Sequence, residues 1–106
     1  MKPARLRAQA KVDLSDVSFH YALEGGQRLG SACLNLALDA LDLLATQPAM
    51  GSLQWAQPAE QPPLRAWRVK RFPVVWFYFE RDDHLDVVRL LGERQDIASI
   101  LAAGWD

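Results

Sequence analysis

Residues 74 to 79, Val-Val-Trp-Phe-Tyr-Phe, are six consecutive large apolar side chains. Side chains of a strand point alternately to its two faces, so a strand built on this run is apolar on both and must be covered on both. That requirement predicts a central strand over Val74 to Glu80 with other structure packed above and below it. It also fixes what the flanking segments must do, because a central strand needs neighbours on both edges.

The flanks supply them. Leu64 to Lys70 alternate, with Leu64, Ala66, Arg68 and Lys70 on one face and Arg65, Trp67 and Val69 on the other. "RDDH" at 81 to 84 reads as a hairpin turn, and Leu85 to Leu91 as the following strand. Asp96 to Ala103 reads as a short helix ending at Gly104. Residues 4 to 8, "ARLRA", read as a short strand.

Between that first strand and the sheet lie two helical patterns. In the first, from about Ala10 to Leu23, Ala10, Leu14, Val17 and Tyr21 fall on one stripe. Gly25 and Gly26 end it, since glycine tolerates the left-handed conformation of a helix C-terminus. The second runs from about Arg28 to Thr46. Leu29, Cys33, Leu36, Ala40 and Leu43 form one stripe, and Leu34, Leu38, Leu41 and Ala45 a second beside it. Only Asn35, Asp39, Asp42 and Thr46 make a continuous polar line. This helix carries more apolar surface than one sheet face can cover, so part of it should meet the first helix or a partner. The short connection predicts an antiparallel helical hairpin.

Pro48 stops the second helix. The segment from 47 to 63 contains four prolines and no sustained period, as in a surface loop, with Trp55 either capping the core or offered to a partner. Together these elements predict an α+β fold: a short N-terminal strand, an antiparallel helical hairpin, an antiparallel three- to four-stranded sheet and a short C-terminal helix. With 106 residues the chain is expected to form a single domain over 1 to 106, burying roughly 65% of its unfolded surface.

Charge is unevenly placed. The net charge is −1, yet residues 1 to 11 hold Lys2, Arg5, Arg7 and Lys11 without an acid, and residues 63 to 71 hold Arg65, Arg68, Lys70 and Arg71 without one. Residues 80 to 96 are rich in Asp and Glu. Cys33 is the one cysteine, which excludes an internal disulfide and fits a reducing cytoplasm. No stretch approaches the uninterrupted apolar length of a membrane span, and the basic start is followed by no signal-peptide core. Nothing in the sequence calls for a metal or another cofactor.

The stretch from 64 to 96 resembles the RelE/ParE superfamily of toxin–antitoxin toxins, and specifically its ParE side. The resemblance is carried by Arg65, Trp67 and Val69, the kink at Phe72 and Pro73, and Phe77 with Tyr78. It continues through the turn acids Asp82 and Asp83, then Arg89, Leu90 and Leu91, then Gln95 and Asp96. Upstream, Ala10, Asp13, Leu14 and Tyr21 resemble the family's first helix, and "LLATQPAMGS" the end of its second. Residues 52 to 63 and 104 to 106 have no counterpart. Gly92 stands where the family usually has His, and Phe79 follows Phe77 and Tyr78 where it usually has Arg.

The resemblance implies a toxin that binds and poisons DNA gyrase, without catalytic residues of its own, neutralised by a cognate ParD-like antitoxin in the cytoplasm. The target-binding candidates are Arg65, Arg68, Lys70, Arg71, Arg89 and Arg94. The antitoxin-binding candidates are Leu34, Leu38 and Leu41, as a groove for an amphipathic segment. The alternative is RelE-like, ribosome-dependent mRNA cleavage, which needs a base, an acid and cations around a developing phosphorane. The same arginines and lysine would supply the cations. The proton carriers are sparse: His84 in the acidic turn, His20 on the first helix and Tyr78 in a strand expected to be buried. A pI near 6.1 also fits poorly with a protein that must hold many ribosomal phosphates. A third possibility is a degenerate, non-toxic binding module. Cys33 with His20 as a nucleophile pair has nothing to place a third, orienting group beside it.

Overall fold

The computed structural model describes residues 1–105; Asp106, the last of the residues left unmatched by the family resemblance, lies outside them. In chain order the elements are β1 (Ala4–Leu6), α1 (Ala8–Gly25), α2 (Gln27–Thr46), a 3-10 turn over Pro48–Met50, β2 (Arg65–Arg68), β3 (Val74–Glu80), β4 (Leu85–Gly92) and α3 (Ile97–Ala102). The sheet order is β1-β4-β3-β2. β2, β3 and β4 pair antiparallel as the sequence predicts. β1 joins the outer edge of β4 in parallel, with Ala4 beside Leu85 and Leu6 beside Val87, so the four-stranded sheet is mixed.

β3 is covered on both faces, as its composition demands. Val74, Trp76 and Tyr78 pack with Cys33, Ala37, Leu41 and Leu44 of α2 and with Ala10 of α1. Phe77 and Phe79 point the other way, into a second cluster with Leu64, Ala66, Val88, Leu91 and Ile97. The helical hairpin thus covers one face, while α3 and the loop carrying Trp55 cover the other. Trp76, Phe77 and Tyr78 are fully buried. Polar atoms in this interior are matched: the Trp76 indole N–H donates to the Ala37 carbonyl at 2.9 Å, which prevents the penalty of an orphaned buried donor.

α1 ends at Gly25 and is capped by Gly26, whose φ of 91° lies where glycine has no steric cost and which also opens α2. Gly30 then lets the two helices touch. A Cβ there would lie 2.8 Å from the Ala22 Cβ and from the Ser18 carbonyl oxygen. α2 is long and apolar enough to span a membrane by length and composition. Part of that apolar surface enters the core, where Cys33, Ala37 and Leu44 are completely buried, while Leu38 and Leu43 stay exposed.

A register shift opposite Phe77 and Tyr78 inserts an extra residue into β4. Such a bulge lets two successive residues turn to one side. Leu90 faces the helical core, and Arg89 reaches Asp13 on α1.

Candidate functional site

The cations singled out in the sequence fall into two groups once folded. Arg89 donates to Asp13 from Nε at 2.7 Å and Nη2 at 3.1 Å, and Asp13 also accepts from the Leu90 N–H at 3.0 Å and from Gln9 at 3.2 Å. Its side chain is only 16% exposed and the Asp13 side chain 8%. Arg89 therefore bolts α1 to β4. Arg65 donates to the carbonyls of Ala49 and Gly51 at 3.0 and 2.9 Å, beside the Tyr78 hydroxyl, which donates to the Pro48 carbonyl at 2.6 Å and accepts from the Gly51 N–H at 3.0 Å. Arg65 and Tyr78 together hold the exit of α2 onto the sheet.

The second group is exposed. Arg68, Lys70, Arg71 and Arg94 gather at one end of the sheet, where β2 ends, β3 begins and β4 ends. Arg68 pairs with Glu93 at 2.8 Å on the surface. Arg71, at a φ of 78°, lies over the Phe72 ring, 5.4 Å from its centroid. Lys70, Arg71 and Arg94 make no ion pair among the described residues.

Next to these cations is a cleft of about 550 Å³ between the C-terminal half of α1 and the end of the sheet. Asp16, His20, Tyr21, Glu24, Gly92 and Arg94 are among its lining residues. Tyr21 packs edge-on against Phe72 with centroids 4.8 Å apart. Burial, helped by Cys33 and Glu24, raises its phenol above the ordinary 10.0, and Arg94 acts in the opposite sense. His20 faces Glu24 at 3.5 Å. Gly92 is not demanded by the backbone there, since a Cβ would meet only the Gln95 side chain at ordinary contact distance.

The remaining proton carriers are elsewhere. His84 pairs with Asp83 at 2.6 Å in the β3–β4 turn, at the opposite end of the sheet. The Tyr78 phenol is buried and raised by that burial. Cys33 is wholly buried and its thiol is likewise raised by burial, so it is a core residue. Among the described residues no group of three His, Cys, Asp or Glu side chains could hold a metal ion.

The three leucines proposed to meet an antitoxin do not share one surface. Leu41 is 4% exposed in the core, whereas Leu38 is exposed and Leu34 lines a shallow groove with Lys11, Leu14, Ser15 and Ser18 of α1. The sequence reading missed Val12, Phe19 and Leu23 on α1, which are 49%, 65% and 71% exposed. Their spacing of seven and four was a readable signal, but it lies opposite the stripe assigned to the core. Asp13 was already named for its place in the first helix, beside Ala10 and Leu14; what was not read is its pairing with Arg89.

A helical hairpin on one face of a mixed four-stranded sheet, with a cationic end beside a cleft, defines an α+β sandwich. No family model and no curated protein matches the chain. Among solved structures, a chain described as "Chromosomal ParDE TA system from P. aeruginosa" shares the fold, with a TM-score of 0.70 at 17% identity. The match covers 87% of this chain and 96% of that one.

Proposed function

We propose that this chain is the ParE-like toxin of a type II toxin–antitoxin pair, binding and poisoning DNA gyrase in the cytoplasm and released from inhibition when its ParD-like antitoxin is lost. The observation that carries this reading is the shared fold with the ParDE chain over nearly the whole length. Arg68, Lys70, Arg71 and Arg94 are the target-facing residues, because they are the exposed members of the cation set. Arg65 and Arg89 serve the fold. The antitoxin meets the groove beside Leu34 and Leu38, and Leu41 supports that surface from below.

A gyrase poison needs a recognition surface and no proton shuttle. The test is titration of purified, antitoxin-free protein into a plasmid supercoiling reaction, with detergent and protease added to reveal trapped cuts. Accumulating linear DNA is the expected result, and supercoiling that proceeds unchanged removes gyrase as the target.

One observation favours a second reading, ribosome-dependent mRNA cleavage. His20 lines the same cleft as Gly92 and Arg94, so an imidazole from α1 stands near the position where the family carries one on β4. Cleavage of ribosome-bound mRNA that His20→Ala abolishes would establish it.

A further inference from the structure

The face of the sheet turned away from the helical hairpin carries a cavity that neither the cation set nor the cleft beside α1 uses. It has a volume of about 490 Å³, within the range of small-molecule sites, and lies between the loop of residues 52 to 63 and α3. Gln54 to Gln57, Glu60 and Trp105 make most of its wall. These positions fall in the segments that have no counterpart in the family the chain resembles, so the shared fold does not account for the cavity.

Trp55 and Trp105 stand over two same-face residues of β3. Trp55 meets Phe77 with centroids 6.3 Å apart and planes at 74°, and Trp105 meets Phe79 at 5.6 Å and 58°. Neither indole lies flat on its phenylalanine. Arg71 and Arg81 rest on Phe72 and Phe79, and among the described residues no cation rests on either tryptophan, so the attraction of an indole for positive charge is unused here.

One charged group lines the cavity, Glu60. Its Oε1 accepts from the N–H of Gln57 at 2.7 Å and from that of Leu64 at 3.4 Å, which fixes the carboxylate in the wall. Oε2 has no partner among the described residues. The cations that border this region are already engaged: Arg68, which shares a groove with Trp55, pairs with Glu93, and Arg81, over Phe79, pairs with Asp86. The remaining lining is largely apolar, with Leu64 beneath and Leu101 on α3.

We propose that this cavity binds an organic cation whose charged nitrogen is wrapped in methyl groups, held against Trp55 and Trp105 and neutralised by Glu60. Tryptophan is the strongest aromatic partner for such a cation. The methyl groups gain apolar contact with Leu64 and Leu101, where a bare ammonium would give up its water. The inference rests on neither the toxin reading nor the choice of target.

The probes are choline, its uncharged isostere with a tert-butyl group in place of the trimethylammonium, and ethanolamine, whose nitrogen carries no methyl group. Each is titrated into the full chain by calorimetry, and the site is located by the shifts of the indole N–H resonances. Choline binds saturably in the millimolar range or below, as suits so small a ligand, and moves the resonances of Trp55 and Trp105 but not those of Trp67 and Trp76. The isostere and ethanolamine bind about tenfold more weakly or worse. Glu60→Gln keeps an oxygen for both backbone N–H groups, so it retains the thermal transition of the parent while weakening choline about tenfold. Trp55→Leu abolishes binding. A peptide carrying trimethyl-lysine that outbinds choline makes a protein side chain the source of the cation, and one that binds more weakly makes it a free molecule. Equal binding of choline and its isostere, ethanolamine bound as tightly as choline, or choline affinity unchanged by Glu60→Gln overturns the proposal. So does the absence of saturable binding by both choline and the peptide.

Discussion

The two ends of the sheet carry cations that have opposite fates. At the β3–β4 hairpin end, Lys2 pairs with Glu80 at 2.9 Å, while Arg7 and Arg81 share Asp86 at 2.8 and 2.9 Å. At the other end Lys70, Arg71 and Arg94 are left to solvent, and Arg68 has only a surface partner. The sequence shows cations before both regions. The difference comes from what the fold brings opposite them: parallel pairing of β1 with β4 places Arg7 near Asp86, whereas no carboxylate among the described residues pairs with Lys70 or Arg71. Charge that is internally neutralised holds elements together, and charge left unpaired remains free to meet a partner.

The comparison breaks most severely if the buried ion pair is removed. Asp13→Ala leaves Arg89 buried without its carboxylate and should cost about 3 to 5 kcal/mol in urea unfolding. A loss below about 1 kcal/mol would mean that solvent reaches Arg89 and that it belongs with the free cations after all. Tyr78→Phe strips the Gly51 N–H and the Pro48 carbonyl of their shared partner, and a loss of about 1 to 3 kcal/mol is expected by the same measurement.

Asp86 sharpens the comparison through pH. Hydrogen bonding to Arg7, joined by Arg81, holds its carboxyl below the ordinary 3.8, although burial pulls the other way. A depressed folded value means that the stabilisation is fully present above the unfolded value and is lost as pH falls from about 3.8 through the lower folded one. Asp86→Asn should therefore be less stable at neutral pH and show a shallower acid-side decline in thermal transition temperature. A decline identical to that of the parent would show that the hairpin-end pairing contributes nothing. At the opposite end, Lys70→Glu with Arg94→Glu should alter stability by no more than about 0.5 kcal/mol, because both side chains are exposed and unpaired. The same variant should lose growth inhibition on expression. Full inhibition by a folded Lys70→Glu, Arg94→Glu protein would take these cations out of the proposed target-binding set.

The helical hairpin, the central strand and the glycine that ends α1 were legible because each depends on local periodicity or backbone freedom. Val74 to Phe79 could lie only in a strand covered on both faces, and the α2 pattern could belong only to a helix with more than one apolar contact. The candidate site was less legible. Arg65 and Arg68 differ in sequence by three positions and look alike, yet one holds the carbonyls of Ala49 and Gly51 and the other projects into solvent beside Glu93. Leu41 and Leu38 look equally available along α2, and only the direction from which β3 approaches decides which is buried.

What the sequence determined by itself is therefore the set of elements, their order and the faces that must be covered, since these follow from spacing along one chain. The tertiary structure decided the parallel pairing of β1, the bulge that brings Arg89 to Asp13 and the division of the cations into bound and free. Those outcomes depend on pairs as distant as Asp13 and Arg89, or Arg7 and Asp86, and a charge acquires its role only when folding sets its partner within hydrogen-bonding distance.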